Sequence, residues 1–388
     1  MKKIIFINSH PIQYFAPLYK YMNKAGLKTA AWYCSDETIK GSFDQEFGVN
    51  IKWDIPLLQG YDFKFFKNYS WKPSLYKGFF GLINFGMIGQ LFREPKSVFI
   101  IHGWNYFSHF LVIIFGKLRG HTMCLRVETP LVHEQKKSGF KQKIKRFGLK
   151  YILFPFLDYY LYIGNQNRLF YESYGIKSER LIFCPYSVDN ERFTNDYKRL
   201  NPLKANLRET IGIPNTSKVI LYSGKYIDKK RPLDLLLAFI ALNKPDSFLI
   251  LVGEGNLREE LEAIIEKHQV KNVILTGFVN QTKIAEYYAV SDVFVMCSTV
   301  GETWGLSVNE AMNFNLPVVL SDLTGSSHDV IKEGVNGYAF ETGNIKEMAE
   351  KLEQVLYKES LSWAESSKEI IEKYSYNTIV EQLKNIAH

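Results

Sequence analysis

The sequence predicts an α/β protein built from two Rossmann-like, doubly wound domains, and three observations predict it. Short β-branched and aromatic runs alternate with amphipathic helical stretches, the pattern of parallel sheets covered by helices. The alternation runs once through the first half of the chain and restarts in the second. The size also suits two domains: 388 residues, 46% of them hydrophobic, can fill two cores and argue against disorder.

In the first half the expected strands are Ile4 to Ile7, Lys28 to Tyr33, Val98 to Ile101, Thr122 to Arg126, Tyr159 to Tyr162 and Leu181 to Phe183. Helical patterns such as Phe15 to Ala25 and Gln166 to Tyr174 lie between them. In the second half Val219 to Ser223, Phe248 to Val252, Val273 to Thr276, Val293 to Cys297 and Pro317 to Ser321 read as strands, with helices starting near Pro232, Leu257, Gln281 and Ser307. Asn190 to Ser217 is polar, carries Asn, Pro and Lys, and holds one helix-like segment near Leu203 to Thr210, so it reads as the linker. One domain is thus expected over 1–195 and the other over 196–371. Ligands of such folds bind beyond the carboxyl ends of the strands, so chemistry is sought there.

Composition narrows the classes. Lys+Arg of 48 against Asp+Glu of 40 gives +8, which favours anionic partners such as nucleotides, nucleic acid or an acidic membrane surface without choosing between them. Cys34, Cys124, Cys184 and Cys297 lie far apart, with no CxxC pair and no His at ligand spacing, so no zinc site is expected and a reducing cytosol fits. The opening Met-Lys-Lys-Ile-Ile-Phe-Ile-Asn has only a very short apolar run before His10 and reads as a first strand, not a signal peptide. Gly78 to Phe92 and Tyr151 to Gly164 fall short of the roughly 18 to 20 apolar residues of a spanning helix. A cytoplasmic protein, soluble or peripheral on the inner face of the cell membrane, is the expectation.

The most informative stretch is Cys297-Ser-Thr-Val-Gly-Glu302-Thr-Trp-Gly305-Leu306-Ser307-Val-Asn-Glu310. A strand ends, a loop presents Glu302, and a helix begins near Ser307. The helix start offers free N–H groups to a phosphate, Gly305 allows close approach, and a carboxylate on either side can hold hydroxyl groups. Ser307 and Glu310 are also spaced as a capping box, in which Glu310 bonds back to its own helix start. Upstream, Ser223-Gly224-Lys225 and Lys229-Lys230-Arg231 follow a strand and lead into a helix. Cations there suit a departing diphosphate; an ordinary solvated charge run is the other reading. Gly253 and Gly255 fit a tight strand-to-helix turn.

Glu302 to Glu310 is an E-x7-E pattern, and the passage resembles the family 4 retaining glycosyltransferases of the GT-B fold. The resemblance continues through Asn313-Phe-Asn-Leu-Pro317, Gly325 and Glu333-Gly-Val-Asn-Gly337, and back through Gly224-Lys225, Lys230, Leu251-Val-Gly253-Glu-Gly255 and Thr276-Gly277-Phe278-Val279. It implies two Rossmann-like domains facing each other across a cleft, with the C-terminal helix, Tyr376 to Ile386 within 372–388, crossing back to the first. It implies a nucleoside-diphosphate sugar donor, UDP- before GDP-, and transfer with retention at the anomeric carbon. Glu302, Lys225 and Lys230 would be catalytic. Gly224, Phe278, Val279, Gly305, Leu306, Ser307 and Glu310 would bind the donor, Glu310 through the ribose and the Phe278 turn through the base. Lys225 stands where the family has arginine, so the charge is kept and the bidentate fork lost. No metal or other cofactor is expected.

A weaker likeness covers Cys184-Pro-Tyr-Ser-Val-Asp189-Asn-Glu-Arg-Phe193, similar to the family's P-N-G-V-D-x-x-x-F signature with Tyr186 and Ser187 in place of Asn and Gly. On the acceptor side, His10 and Gln13 follow the first strand, where the family has a glycine-rich loop. His102 and Glu128 follow two further strands, at a location favoured for function, although an isolated His or Glu is more often a hydrogen-bonded structural group.

Lys136 to Lys150 carries Lys136, Lys137, Lys141, Lys143, Lys145, Arg146 and Lys150 interleaved with Phe140, Ile144, Phe147 and Leu149. A basic helix with an apolar face binds anionic lipid; the alternative is a solvated helix packing its apolar stripe on the sheet. No nucleic-acid recognition motif accompanies it. The expected activity is transfer of a sugar to a hydroxyl of a glycan or lipid-linked acceptor, as in bacterial surface polysaccharide synthesis. The rivals are a sugar-nucleotide epimerase on the same fold and a catalytically silent sugar-nucleotide-binding partner.

Overall fold

The computed structural model describes residues 1–39, 41–44, 48–358 and 363–387. The chain divides into two compact units, Met1–Ser42 with Ile55–Tyr186 and Tyr376–His388, and Phe43–Asp54 with Ser187–Ser375. The division falls at Tyr186, ahead of the polar stretch read as linker. The reason is that helix Asn190–Leu200 packs on the second unit and buries Phe193 and Leu200.

The first unit holds seven parallel strands: β1 (Ile4–Asn8), β2 (Thr29–Tyr33), β5 (Asp62–Phe65), β6 (Val98–His102), β7 (Thr122–Arg126), β8 (Tyr159–Tyr162) and β9 (Leu181–Phe183), in the order β5-β2-β1-β6-β7-β8-β9. Central strands such as β1 are buried along their whole length, as sheets covered on both faces require. β5, Asp-Phe-Lys-Phe, was not foreseen because it is an edge strand whose side chains stay largely exposed. Helix Tyr376–Ala387 buries six of its residues within this unit, and Lys2 N–H donates to Ala387 O at 2.6 Å.

The second unit holds six parallel strands: β10 (Lys218–Ser223), β11 (Ser247–Val252), β12 (Val273–Leu275), β13 (Val293–Met296), β14 (Val318–Ser321) and β15 (Gly337–Phe340), in the order β12-β11-β10-β13-β14-β15. β15 was missed because it starts on Gly337, whose added Cβ would lie 1.9 Å from Val318 O; a strand edge that close tolerates only glycine. A short two-stranded sheet, β3 (Ser42–Asp44) with β4 (Val49–Ile51), stands apart from both large sheets. In each large sheet the strand order reverses once, between β1 and β6 and between β10 and β13. Those reversals create the crevices at which ligands of doubly wound sheets bind.

The Lys136–Lys150 stretch folds as helix Phe140–Phe147 running into a wide turn at Gly148–Leu153. Its orientation goes against the packing alternative for three of the four apolar residues, since only Leu149, beyond the helix, joins the core. No residue of Phe140–Phe147 is buried, and Phe140 is 77% exposed, with Ile144 and Phe147 also facing solution. The basic side pins the helix instead: Lys145 donates to Glu134 at 2.7 Å, and the Arg146 guanidinium lies 4.5 Å from the Tyr174 ring centre. Among the described residues no helix is long and apolar enough to cross a membrane.

Candidate functional site

The second unit assembles its residues where β10 and β13 end. Val252 O accepts from Gly224 N–H at 3.0 Å, and Ser307 Oγ donates to Ser223 O at 3.2 Å. Those two bonds fix the Gly224-Lys225 turn between the end of β11 and the start of helix Leu306–Asn313. Gly253 comes so close that a Cβ on it would sit 1.9 Å from Gly224 O, which is why glycine is needed there.

The turn Asp228–Lys230 is tied to the loop after β13. Thr299 N–H donates to Lys229 O at 2.8 Å, and Cys297 Sγ–H donates to the Lys230 and Arg231 carbonyls at 3.3 and 3.1 Å. Burial pushes the Cys297 thiol up to about 12, so it stays protonated and keeps donating. These bonds place Lys230 against Glu302, and the ammonium is ion-paired with Oε2 of the carboxylate. Ser298 Oγ donates to the same oxygen at 3.4 Å. Burial alone would raise the Glu302 carboxyl, but Lys230, with Lys229 and Ser298 behind it, outweighs burial and holds it below the ordinary range. Glu302 is therefore ionised at neutral pH.

Gly305 caps the following helix at φ 90°, a left-handed conformation, and a Cβ there would lie 2.4 Å from Met296 Sδ. The helix start thus has no side-chain cap, and its first N–H groups stay available to an anion. The capping-box alternative is not what forms: Ser307 is already inside the helix and bonded to Ser223. Glu310 is buried, 1% exposed, with Oε2 accepting from Tyr288 Oη at 2.7 Å. Tyr288 was missed, since nothing in its own helix, Ile284–Val290, signals a partner 22 residues on.

Gly253 N–H donates to Gly277 O at 3.1 Å, which sets the turn holding Phe278 and Val279 beside the β11 end. A second unforeseen element lies on this turn. Asn280 donates through Nδ2 to Lys52 O at 2.8 Å and accepts from Asp54 N–H at 3.4 Å, while Thr282 N–H donates to Asp54 Oδ2 at 3.1 Å. The Trp53 and Phe278 rings meet edge-to-face with centroids 6.0 Å apart. The structure therefore brings Gly224, Lys225, Lys230, Glu302, Gly305, Leu306 and Ser307 together, with Phe278 and Val279 on the neighbouring turn and Glu310 underneath.

The first unit holds the remaining residues at the ends of β1, β6 and β7. Ser9 Oγ and His10 Nδ1 are hydrogen-bonded at 2.9 Å, and burial lowers the His10 imidazole to about 4. Gln13 is part-buried ahead of helix Phe15–Lys24. His102 lies against Phe15 at 4.5 Å between ring centres, and burial, then the charge of Arg126, keeps it neutral well below its ordinary value. Arg126 is 3% exposed, its guanidinium 4.9 Å from the Phe15 ring and 4.7 Å from that of Tyr186. Glu128 Oε1 is 3.9 Å from Arg126 Nη1. His102 Nε2 and Arg126 Nε and Nη1 are buried with no hydrogen-bond partner among the described residues.

Arg126 was not singled out, although its place at the end of β7 was legible. Tyr186, read only as a departure from a signature, stacks parallel to Phe15 at 6.1 Å and completes this aromatic seat. Asp189 of the same signature accepts from Arg192 N–H at 3.0 Å as the cap of helix Asn190–Leu200, a structural role.

Two doubly wound parallel units, the second with a cation–carboxylate pair beside an uncapped helix start, define the GT-B class of glycosyltransferase fold. HepE of Anabaena, solved with UDP and glucose, superposes over 100% of this chain and 99% of its own with a TM-score of 0.73 at 16% identity. Residues 204–377 match the family model described as glycosyl transferases group 1. An uncharacterised glycosyltransferase of Methanocaldococcus jannaschii is 31% identical over 189 residues, 47% of this chain and 48% of the relative. The GalNAc-alpha-(1->4)-GalNAc-alpha-(1->3)-diNAcBac-PP-undecaprenol alpha-1,4-N-acetyl-D-galactosaminyltransferase of Campylobacter jejuni is 25% identical over 240 residues, 60% of each chain. The chain thus spans about half the length of the curated relatives it matches.

Proposed function

We propose that the protein transfers a sugar from a nucleoside diphosphate, UDP before GDP, to a hydroxyl of a glycan or lipid-linked acceptor with retention at the anomeric carbon. The observation that carries this reading is the buried Lys230–Glu302 pair beside the Gly305–Ser307 helix start, at the sheet's strand-order reversal. The bond between the anomeric carbon and the diphosphate oxygen breaks while one to the acceptor oxygen forms, and the leaving diphosphate takes the acceptor's proton. Lys225, Lys230 and the helix start stabilise the charge growing on the diphosphate without calling on a metal. Glu302 holds sugar hydroxyls and keeps Lys230 in place; it positions and does not attack. Glu310, oriented by Tyr288, serves the ribose, and the Phe278-Val279 turn the base. The nitrogens of Arg126 and His102 that have no hydrogen-bond partner among the described residues, with His10, Gln13 and Glu128, favour an acceptor or sugar contact in the first unit, because buried polar atoms are normally hydrogen-bonded.

Helix Phe140–Phe147 favours work at an anionic membrane surface of the cytoplasmic face: its apolar side faces solution and Lys136, Lys141 and Lys143 flank it. The undecaprenol-linked glycan in the name of the Campylobacter jejuni relative fits such an acceptor.

The test is nucleotide release from a panel of UDP- and GDP-sugars, with and without membrane lipid extract. Release that depends on acceptor supports the transferase. Turnover of donor alone supports the epimerase, and binding without turnover the silent partner. Full activity in Glu302→Ala removes the site assignment.

A further inference from the structure

Between Phe63 and Arg93 the sequence has Lys64, Lys67, Lys72, Lys77 and Arg93 and no Asp or Glu. The same stretch exposes Tyr69, Trp71, Tyr76, Phe79, Phe80 and Phe85 on the surface of the first unit, Trp71 at 70%. Large aromatics in such numbers are unusual on a surface that meets only water.

The loop that carries them is built and tied. Asn68 is its clasp: Nδ2 donates to Gly81 O at 2.9 Å, and Oδ1 accepts from Ser70 N–H at 3.0 Å and Ile83 N–H at 2.9 Å. Ser70 Oγ donates to Phe80 O at 2.6 Å, and Tyr69 N–H to Ile83 O at 2.8 Å. Gly81 is required, because a Cβ there would lie 2.3 Å from Ser74 O. From below, Tyr106 Oη donates to Leu75 O at 2.8 Å, and Phe79 packs on Phe107 at 5.8 Å between ring centres. Trp71 and Phe80 lie 5.5 Å apart, so the outward rings form a cluster and not scattered singles. The clasp prevents these rings from folding inward, and the apolar surface they present is a fixed property of the fold.

We propose that the Asn68–Ile83 loop is a second, preformed membrane anchor, which seats its aromatic cluster at the headgroup level of an anionic bilayer while Lys67, Lys72 and Lys77 reach the lipid phosphates. Tyr and Trp favour that depth because one end of each ring is apolar and the other hydrogen-bonds, and lysines bury their stems while their ammonium groups stay with the phosphates. The absence of acidic residues from the stretch matches a surface of negative lipid, where each juxtamembrane lysine adds attraction. The Phe107–Arg119 helix touches both this loop and the Gly148–Leu153 turn, so the loop and the basic helix rest on one support. The inference extends the membrane reading of helix Phe140–Phe147 but rests on separate residues.

The experiment uses the full chain and sedimentation with vesicles of phosphatidylcholine alone or mixed with phosphatidylglycerol. Wild type is compared with Trp71→Ser/Phe80→Ser, with Lys67→Gln/Lys72→Gln/Lys77→Gln, and with Phe140→Ser/Phe147→Ser in the basic helix. Lys72 joins the clasp only through its backbone N–H, which donates to Ser70 Oγ at 3.1 Å and which the substitution keeps, and Lys67 only lies over the Tyr69 ring; circular dichroism confirms that each variant keeps the fold. The loop variants are expected to lose about tenfold or more in partitioning to anionic vesicles. Wild-type tryptophan emission should shift to the blue on those vesicles, and the Trp71→Ser variant should lose much of that shift. Unchanged partitioning of both loop variants overturns the inference. If the basic-helix variant alone loses binding, the helix reading survives and this one does not. Retention on a soluble glycan or single-stranded nucleic acid in place of vesicles also overturns it.

Discussion

Glu302 is held ionised by Lys230 in spite of its burial, and that has a consequence for stability. Because its folded value is depressed, the pair's contribution is fully present above the ordinary glutamate value and is lost as pH falls through the depressed one. Thermal stability measured across the acid range should decline more gently in Glu302→Gln than in wild type. At neutral pH, Glu302→Gln or Lys230→Gln should cost about 10²- to 10³-fold in turnover, the scale for removing one charge-stabilising group from a transfer site. Loss of less than about fivefold in both variants would detach the pair from the chemistry. His10 shows the same sign for a base: its neutral form is favoured by folding. Its contribution is complete above its ordinary value of 6.5 and drains away as pH falls toward about 4. His10→Gln should flatten the stability profile in that window.

The helix Leu306–Asn313 was legible because a strand end, a loop carboxylate and a glycine occur in order along the chain, but its cap is Gly305 and not the Ser307–Glu310 box that the spacing offered. The seating of Glu310 was not, because its partner Tyr288 comes from another helix and no local spacing reports it. The same limit hid the Lys52–Asp54 segment, whose mates Asn280 and Thr282 are more than 220 residues away in sequence. Strands buried on both faces declared themselves through continuous apolar runs, whereas β5 and β15 at sheet edges carry polar residues or glycine and did not. Gly305→Ala should destabilise by about 1 to 3 kcal/mol, since it adds both a clash with Met296 and an unfavourable left-handed backbone. Chemical denaturation reads that loss directly. Asn280→Ala should leave the sheet intact yet speed cleavage within residues 48–54 in limited proteolysis, because the amide that holds Lys52 and Asp54 is gone.

Among the described residues one core cluster is centred on β1, β6 and β7 in the first unit and another on β10, β11 and β13 in the second. A nucleoside diphosphate bound at hundredfold excess over its dissociation constant should stabilise the unit that holds it by about 2.7 kcal/mol, a rise of roughly 5 to 10 °C in that unit's transition. Calorimetry with UDP should show the rise in wild type and not in Lys230→Gln. An equal rise in both would place the nucleotide elsewhere.

The backbone passes from one unit to the other four times, after Ser42, Asp54, Tyr186 and Ser375. No single cut can therefore yield two whole halves. A fragment beginning at Ser187 would lack the ribbon that lies along Asn280, and one ending at Tyr186 would carry that ribbon with nothing to rest on. Dissection of this protein calls for co-expression of complementary pieces, and recovery of nucleotide binding only when the piece containing Lys52–Asp54 is supplied in trans would show what the ribbon is for.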